Sequence, residues 1–257
     1  HHQRWGYGDG PWKGQGAQQL VTAGIIQNIK GTDMDNLSAQ SDHFEAIIFD
    51  LDGTLLNTLA DIAESVNRTL AEYHFPVHAL DAYCYFIGNG WKMLVTRALP
   101  ETHRSEQLIA ECVARSRKVY RDNWNRQTRL YEGIPELLDN LAKKQIPLAI
   151  LSNKPHDFML RCVEFYLNKW KFKILIGQSD NFPLKPDPAS ALEVARQIGL
   201  PPSAFLFIGD SAVDIKTAEA AGMHSVGAGW GFRGPKELEE NGCRTLAHHP
   251  LDILSLL

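Results

Sequence analysis

Asp50-Leu51-Asp52-Gly53-Thr54 stands just past the apolar run Ala46 to Phe49. In extended backbone, residues i and i+2 point to the same side. Asp50 and Asp52 can therefore face one site. Two neighbouring carboxylates allow a division of labour, one as nucleophile and one as proton donor and acceptor. Gly53 lets the chain turn and a ligand come close. An ordinary Asp-Gly turn with two solvated acids uses the same letters, so this motif alone decides nothing. Gly209-Asp210-Ser211-Ala212-Val213-Asp214 follows another apolar run. Asp210 is expected at a strand end and Asp214 in the first turn of the next helix. There they could hold Mg²⁺ directly or through water, because magnesium takes few protein carboxylates and keeps several waters. Alternatively, Asp214 only complements a helix N-terminus.

Two further motifs sit in comparable places. Ser152-Asn153-Lys154-Pro155 closes the run IPLAIL. A hydroxyl, an amide and backbone N–H groups at a helix start would cradle a phosphate. A plain cap by Ser152 or Asn153 explains the same residues. Lys185, in Lys185-Pro186-Asp187-Pro188, is fixed by prolines in a loop before a helix. A pinned ammonium suits neutralisation of a nucleophilic carboxylate and a phosphoryl oxygen together, whereas a solvated loop lysine needs no such role. The combination carries more weight than its parts. In an open parallel sheet the carboxyl ends of the strands share one edge, where ligands bind. Three of the motifs follow such ends.

The elements that must position these residues read as alternating strands and helices. The expected strands are Ala46 to Phe49, IPLAIL to Leu151, KILIG to Gly177, AFLFIG to Gly209 and HSVGAG from His224. Between them PELLDNLAKK, PASALEVARQIG and AVDIKTAEAAG have helical patterns. Asp187, Pro188 and Gly199 are placed to start and end the second of these, and Gly222 ends the third. After Asp52, Thr58 and Asp61 fit a helix-start capping pattern. The alternation predicts an α/β fold with a parallel sheet covered on both faces. Roughly eighty residues separate the first two main strands, far more than one crossover needs. Residues 58–130 contain helical stretches near WKMLVTRAL and SEQLIAECVARSRKVYRDNW, which predicts a helical cap domain. The core is then 44–57 with 131–257. Residues 1–43, rich in Gly, Gln and Trp, read as a poorly ordered leader, with Met34 a candidate natural start.

Composition narrows the class. With 44% apolar and 22% charged residues, the chain can bury a core. A net charge of -4 argues against a general nucleic-acid binder. Cys84, Cys112, Cys162 and Cys243 have no zinc-type spacing and predict free thiols in a reducing compartment. No apolar run approaches the ~20 residues that span a bilayer, and no signal pattern opens the sequence. A cytoplasmic protein, monomer or homodimer, without nucleic-acid or membrane partners, is the expectation.

Over about residues 44–257 the chain resembles the haloacid dehalogenase superfamily, in its phosphoglycolate phosphatase-like branch. DLDGTLLNTLADI, IGNGWKMLVTRAL, LSNKP, KPDP, GDSAVDIKTAEAAG and GWGFRG carry the resemblance. It implies a Rossmann-like core with a helical cap after the first motif, and hydrolysis of a small phosphorylated metabolite. 2-Phosphoglycolate is the first expectation; pyrophosphate, a sugar phosphate or a nucleotide is the alternative, and a catalytically silent binding module the reading from another class. By resemblance, Asp50 is the nucleophile and Asp52 the general acid/base. Ser152, Asn153 and Lys185 bind the phosphoryl group. Asp50, Asp210 and the Asp52 backbone carbonyl hold Mg²⁺, with Asp214 supporting them. Asn57 departs from the pattern, where many relatives have Asp, and residues 1–43 have no counterpart in it. For substrate choice, Gly88-Asn89-Gly90-Trp91-Lys92 is the expected selector. Its glycines permit a tight loop with free N–H groups before a helix, which favours an anion. Lys92 would add positive charge for a substrate carboxylate. The plainer reading packs Trp91 in the cap and leaves Lys92 in solvent.

Overall fold

Strand β1, Ala46–Phe49, has no solvent-exposed side chain, and its four residues divide between two cores. Ile47 and Phe49 enter one cluster, Ala46 and Ile48 the other. That division is the two-residue period of a strand covered on both faces. The computed structural model describes residues 44–257. The expected leader and the proposed start at Met34 lie outside the described residues.

After β1 come a two-residue strand β2, Leu56–Asn57, and four helices. These are α1 (Leu59–Glu72), α2 (Leu80–Phe86), α3 (Gly90–Ala98) and α4 (Glu106–Asn123). Strand β3, Arg129–Leu130, returns antiparallel to β2, so the chain leaves and re-enters through one short ribbon. Then follow α5 (Ile134–Lys143), β4 (Leu148–Pro155), α6 (His156–Tyr166) and β5 (Ile174–Gln178). The last part is α7 (Ala189–Ile198), β6 (Phe205–Gly209), α8 (Ala212–Ala221), β7 (His224–Ala228), α9 (Gly234–Glu240) and β8 (Thr245–Ala247).

Six strands form one parallel sheet in the order β5-β4-β1-β6-β7-β8. The chain moves outward from β1 to β4 and β5, then crosses back to β6 on the other side. Such a reversal opens a crevice at the carboxyl ends of the central strands. On one face, Leu137, Leu138 and Leu141 of α5 and Met159 and Cys162 of α6 cover Ile47, Phe49, Ile150 and Ile208. On the other, Ala191, Val194 and Ala195 of α7 and Ala218 and Ala221 of α8 cover Ala46, Ile48, Phe205 and Phe207. The α1–α4 insertion builds a third cluster, with Ile62, Val66, Leu70, Trp91, Leu94, Val95, Ile109 and Tyr120, joined by Phe158 of α6. No helix among the described residues is long and apolar enough to cross a membrane. The four cysteines are unpaired thiols, as their spacing predicts.

Several local expectations are corrected. The run IPLAIL does not end its strand at Leu151: β4 continues to Pro155, and the helix begins at His156. A residue preceding proline is disfavoured in helical conformation, so Lys154 stays extended, and Pro155 pairs in register with Gln178. Ser152 and Asn153 are strand residues and cap no helix. Thr58 and Asp61 do not form the expected capping pair. Thr58 Oγ1 donates to Asp52 Oδ1 at 2.8 Å. Asp61 is buried and accepts from the Gln127 and Thr128 amides and from Thr128 Oγ1 at 2.7–3.0 Å. That contact ties the start of α1 to the end of the insertion. Asp187 lies one residue before the N-cap Pro188, yet its Oδ1 accepts from the Ala189 amide at 2.9 Å. Gly199 and Gly222 end α7 and α8 in the left-handed conformation, as expected. The ribbon β2–β3 and the edge strand β8 lack a readable period because each has only two or three residues.

Candidate active site

The site lies at the carboxyl ends of β1, β4 and β6. Asp50 follows β1 directly, and its amide donates to Ile208 O of β6 at 2.9 Å. The next turn of backbone is set by Gly53, at φ +85°. A Cβ at Gly53 would overlap the Asp210 carboxylate, so only glycine lets the β1 loop pass this close to the end of β6.

Lys185 is the cation of this group. Its Nζ lies 3.0 Å from Asp50 Oδ1 and 2.6 Å from Asp214 Oδ1, and donates to Leu151 O at 3.0 Å. Burial by itself would lower its pKa, but the Asp214 and Asp50 carboxylates outweigh that and hold it above the usual lysine range. The ammonium is therefore charged and fixed. Asp214 Oδ2 also accepts from Ser211 N–H at 3.1 Å and Ser211 Oγ at 2.8 Å. Asp214 thus completes the start of α8, as the helix reading expects, and also holds Lys185.

Asp50, Asp210 and Asp214 each offer a carboxylate oxygen within 4.8 Å of the others, and all three are buried. One lysine cannot balance them. Burial, with Asp214 and Asp52 adding repulsion, pushes the Asp50 carboxyl up to about 7 despite Lys185 and the Leu51 amide. Burial, then Asp214 and Asp50, drive Asp210 well above the ordinary carboxylate range. A divalent cation would supply the missing positive charge, and hard carboxylate oxygens are the donors magnesium prefers. The residues present fit such an ion. Asp50 and Asp210 could hold it directly, whereas both oxygens of Asp214 already have partners. Asp210 Oδ2 also accepts from the Phe232 amide at 2.8 Å, which aligns that carboxylate.

Asp52 has a separate cation. Lys154 Nζ lies 2.9 Å from its Oδ1 and 3.1 Å from its Oδ2, and Thr58 Oγ1 donates to the same Oδ1. The Lys154 ammonium also lies over the ring of Tyr120 of α4, 4.8 Å from its centroid.

A small cavity of about 40 Å³, open in part to solvent, lies over these groups. Asp50, Asp52, Ser152, Asn153, Lys154 and Asp210 line its floor, and Ile62, Ile87, Gly88, Gly90, Trp91 and Leu94 of the insertion line its roof. Gly90 opens α3 at φ +83°. Trp91 is buried against Tyr120 and Phe158, and its Nε1 donates to Ser116 Oγ at 2.9 Å.

Three sequence expectations change here. Lys92 does not face the cavity: its Nζ pairs with Glu106 at 2.7 Å on the exposed outer side of α3. Successive helical residues turn by about 100°, so with Gly90 and Trp91 facing inward, Lys92 points out. The Asn89 side chain accepts from Arg97 at 2.8 Å and also lies off the cavity. The Asn153 amide is fully engaged within the protein, donating to Gly88 O at 2.9 Å and Lys185 O at 3.0 Å and accepting from the Lys185 amide at 2.9 Å. It positions Lys185 and the Gly88 loop instead of offering its side chain to a phosphate. Ser152 remains on the cavity wall.

Two cations at the site were not singled out from sequence. Lys154 lies inside the quoted SNKP motif, and the proline after it was the available signal for extended backbone. Arg233 lines the cavity mouth, donating to Ile87 O at 3.0 Å and pairing with Glu237 at 3.1 Å. It stands in the quoted GWGFRG motif, but its contacts with the Tyr85 and Ile87 carbonyls come from a distant part of the chain.

A family model for haloacid dehalogenase-like hydrolases matches residues 47–228. A phosphoglycolate phosphatase of Pseudomonas putida is 34% identical over 191 residues, covering 72% of this chain and 70% of that protein. One from Haemophilus influenzae is 34% identical over 195 residues, covering 74% of this chain and 87% of its own length. Among solved structures, a Haemophilus somnus protein described as a predicted phosphoglycolate phosphatase superposes with a TM-score of 0.78 at 29% identity, over 83% of this chain and 97% of that one.

Proposed function

The chain belongs to the haloacid dehalogenase-like hydrolases, in the phosphoglycolate phosphatase-like branch, and from that premise we propose that it hydrolyses a small phosphomonoester through a phosphoryl-Asp50 intermediate. 2-Phosphoglycolate is the leading substrate, because the relatives carry that name. One observation supports the mechanism most directly. A buried carboxylate, Asp50, and a partly buried one, Asp52, two residues apart at the end of β1, have separate lysines, Lys185 for Asp50 and Lys154 for Asp52. Such a pair can be given unlike tasks.

In the first half-reaction an Asp50 oxygen attacks phosphorus and the bond to the leaving oxygen breaks. Asp52 delivers a proton to that oxygen. In the second, Asp52 takes a proton from water as the water attacks phosphorus, and the bond to Asp50 breaks to release phosphate. Lys185 holds Asp50 in place and offsets charge as the phosphoryl group arrives. Magnesium, held by Asp50, Asp210 and the Asp52 carbonyl with Asp214 in support, would neutralise repulsion between the phosphate dianion and the nucleophile. The helices α1–α4 act as the cap, placing Gly88, Gly90 and Trp91 over the leaving group and keeping bulk water out.

The test is a panel at equal concentration with Mg²⁺: 2-phosphoglycolate, sugar phosphates, nucleotides, pyrophosphate and p-nitrophenyl phosphate, each with wild type, Asp50→Asn and an EDTA-treated control. The expected result is turnover that requires metal and Asp50, highest on 2-phosphoglycolate. Comparable turnover by a folded Asp50→Asn protein would end the mechanistic reading. A different preferred substrate would end only the substrate assignment.

A further inference from the structure

We infer that Lys154 is a positioning residue for the proton-transfer step, holding the Asp52 carboxylate in the orientation that serves the leaving group. The inference rests on the role proposed above for Asp52. The Lys154 side chain is 1% exposed. A buried ammonium is costly unless it is paired and hydrogen-bonded, so a lysine kept here must be held by what it touches. Its Nζ addresses both Asp52 oxygens, at 2.9 and 3.1 Å. On another side it meets the Tyr120 ring face, 4.8 Å from the centroid, an arrangement that stabilises a desolvated cation. Tyr120 is fully buried and is fixed in turn by Trp91 and Phe158, at 5.0 Å each. Thr58 Oγ1 anchors Asp52 Oδ1 from the start of α1. Asp52 is therefore restrained by a core strand and by the entrance to the insertion together. Lys185 instead serves Asp50 and Asp214. The two lysines divide the two carboxylates between them.

A merely structural lysine, or one that binds the phosphoryl group, would affect every substrate alike. In kcat/KM, which reports the steps up to departure of the leaving group and not the later hydrolysis of phosphoryl-Asp50, a lysine that positions the proton donor affects only substrates whose leaving oxygen needs a proton. The nitrophenolate of p-nitrophenyl phosphate leaves without one, while an alkoxide does not. We would measure kcat/KM of Lys154→Met and Lys154→Gln on 2-phosphoglycolate or glycerol phosphate and on p-nitrophenyl phosphate, with Asp52→Asn as reference. The expected loss for Lys154→Met is about 100-fold on the alkyl phosphate, the low end of general acid–base contributions, and under about fivefold on the aryl one. If Lys154→Met does not fold, Lys154→Gln, which keeps a donor of similar reach, is read by the same ratio. Equal losses on both substrates, or no loss on either, would overturn the inference. If Asp52→Asn is selective and the Lys154 variants are not, only the inference fails. If Asp52→Asn is itself unselective, the proposed role of Asp52 fails and the inference with it.

Discussion

Replacing Asp50 by Asn should abolish turnover and, in the same sample, stabilise the metal-free fold. The nucleophile sits in a place that disfavours its charge. Its carboxyl is pushed from 3.8 to about 7, first by burial and then by Asp214 and Asp52, against the pull of Lys185. A carboxyl whose folded pKa lies above its unfolded one binds more protons in the folded state between the two values. Stability therefore falls as pH rises through that window. With 3.8 unfolded and about 7 folded, ionisable Asp50 costs about 2 kcal/mol at pH 5 and about 4 kcal/mol at pH 8, relative to a neutral isostere. The amide removes this cost while Lys185 keeps Asp214, at 2.6 Å, as its partner. At roughly 2–4 °C per kcal/mol for a chain of this size, Asp50→Asn should melt about 8–16 °C above wild type at pH 8 in EDTA. The assay is thermal unfolding by circular dichroism at pH 5 and pH 8, with and without Mg²⁺. Saturating Mg²⁺ should raise wild type more than the variant, because it binds the folded carboxylates. A variant that melts at or below wild type at pH 8 in EDTA, or a gap that does not widen from pH 5 to pH 8, would refute this account of the site's electrostatics.

Lys185→Met should act in the opposite direction. It leaves Asp50 and Asp214 buried without their ammonium, so the metal-free protein should lose about 3–5 kcal/mol in denaturant titration, and Mg²⁺ should recover part of it; an unchanged midpoint would contradict the ion-pair role. Gly53→Ala should lose most activity, because its Cβ would overlap the Asp210 carboxylate at a φ of +85°; near-normal kcat with Mg²⁺ would show that this close approach is dispensable. Lys92→Ala should change the ratio of 2-phosphoglycolate to p-nitrophenyl phosphate kcat/KM by less than about twofold, since an exposed pair with Glu106 is worth at most about 1 kcal/mol. A large selective loss would mean that Lys92 reaches the substrate after all. Trp91→Ala, which empties the aromatic stack beneath Gly90, should destabilise by about 3–5 kcal/mol, read as a lower unfolding midpoint.

By itself the sequence determined the repetitive parts of this protein and the chemistry at the strand ends. Ala46 to Phe49, Phe205 to Gly209 and the helices between them are written in local period, and local period follows from backbone geometry alone. Asp50, Asp52, Lys185, Asp210 and Asp214 were legible because each motif follows a strand or sits in a loop at the same sheet edge, and parallel topology brings those ends together. The tertiary structure decided which partner each polar side chain takes. Thr58 and Asp61 look like a cap, but a buried carboxylate is satisfied by whichever donors surround it, and here those are the Gln127 and Thr128 amides and Thr128 Oγ1. Asn153 reads as a phosphate ligand until Gly88 O and Lys185 occupy its amide. Lys92 and Lys154 are both lysines beside a site motif, and only Pro155 after the second hints at how their backbones differ. One turn of α3 sends Lys92 into solvent, while extended backbone before Pro155 sends Lys154 to Asp52. The contacts that make this choice join residues as many as 102 positions apart, and no local pattern can encode where such partners will meet.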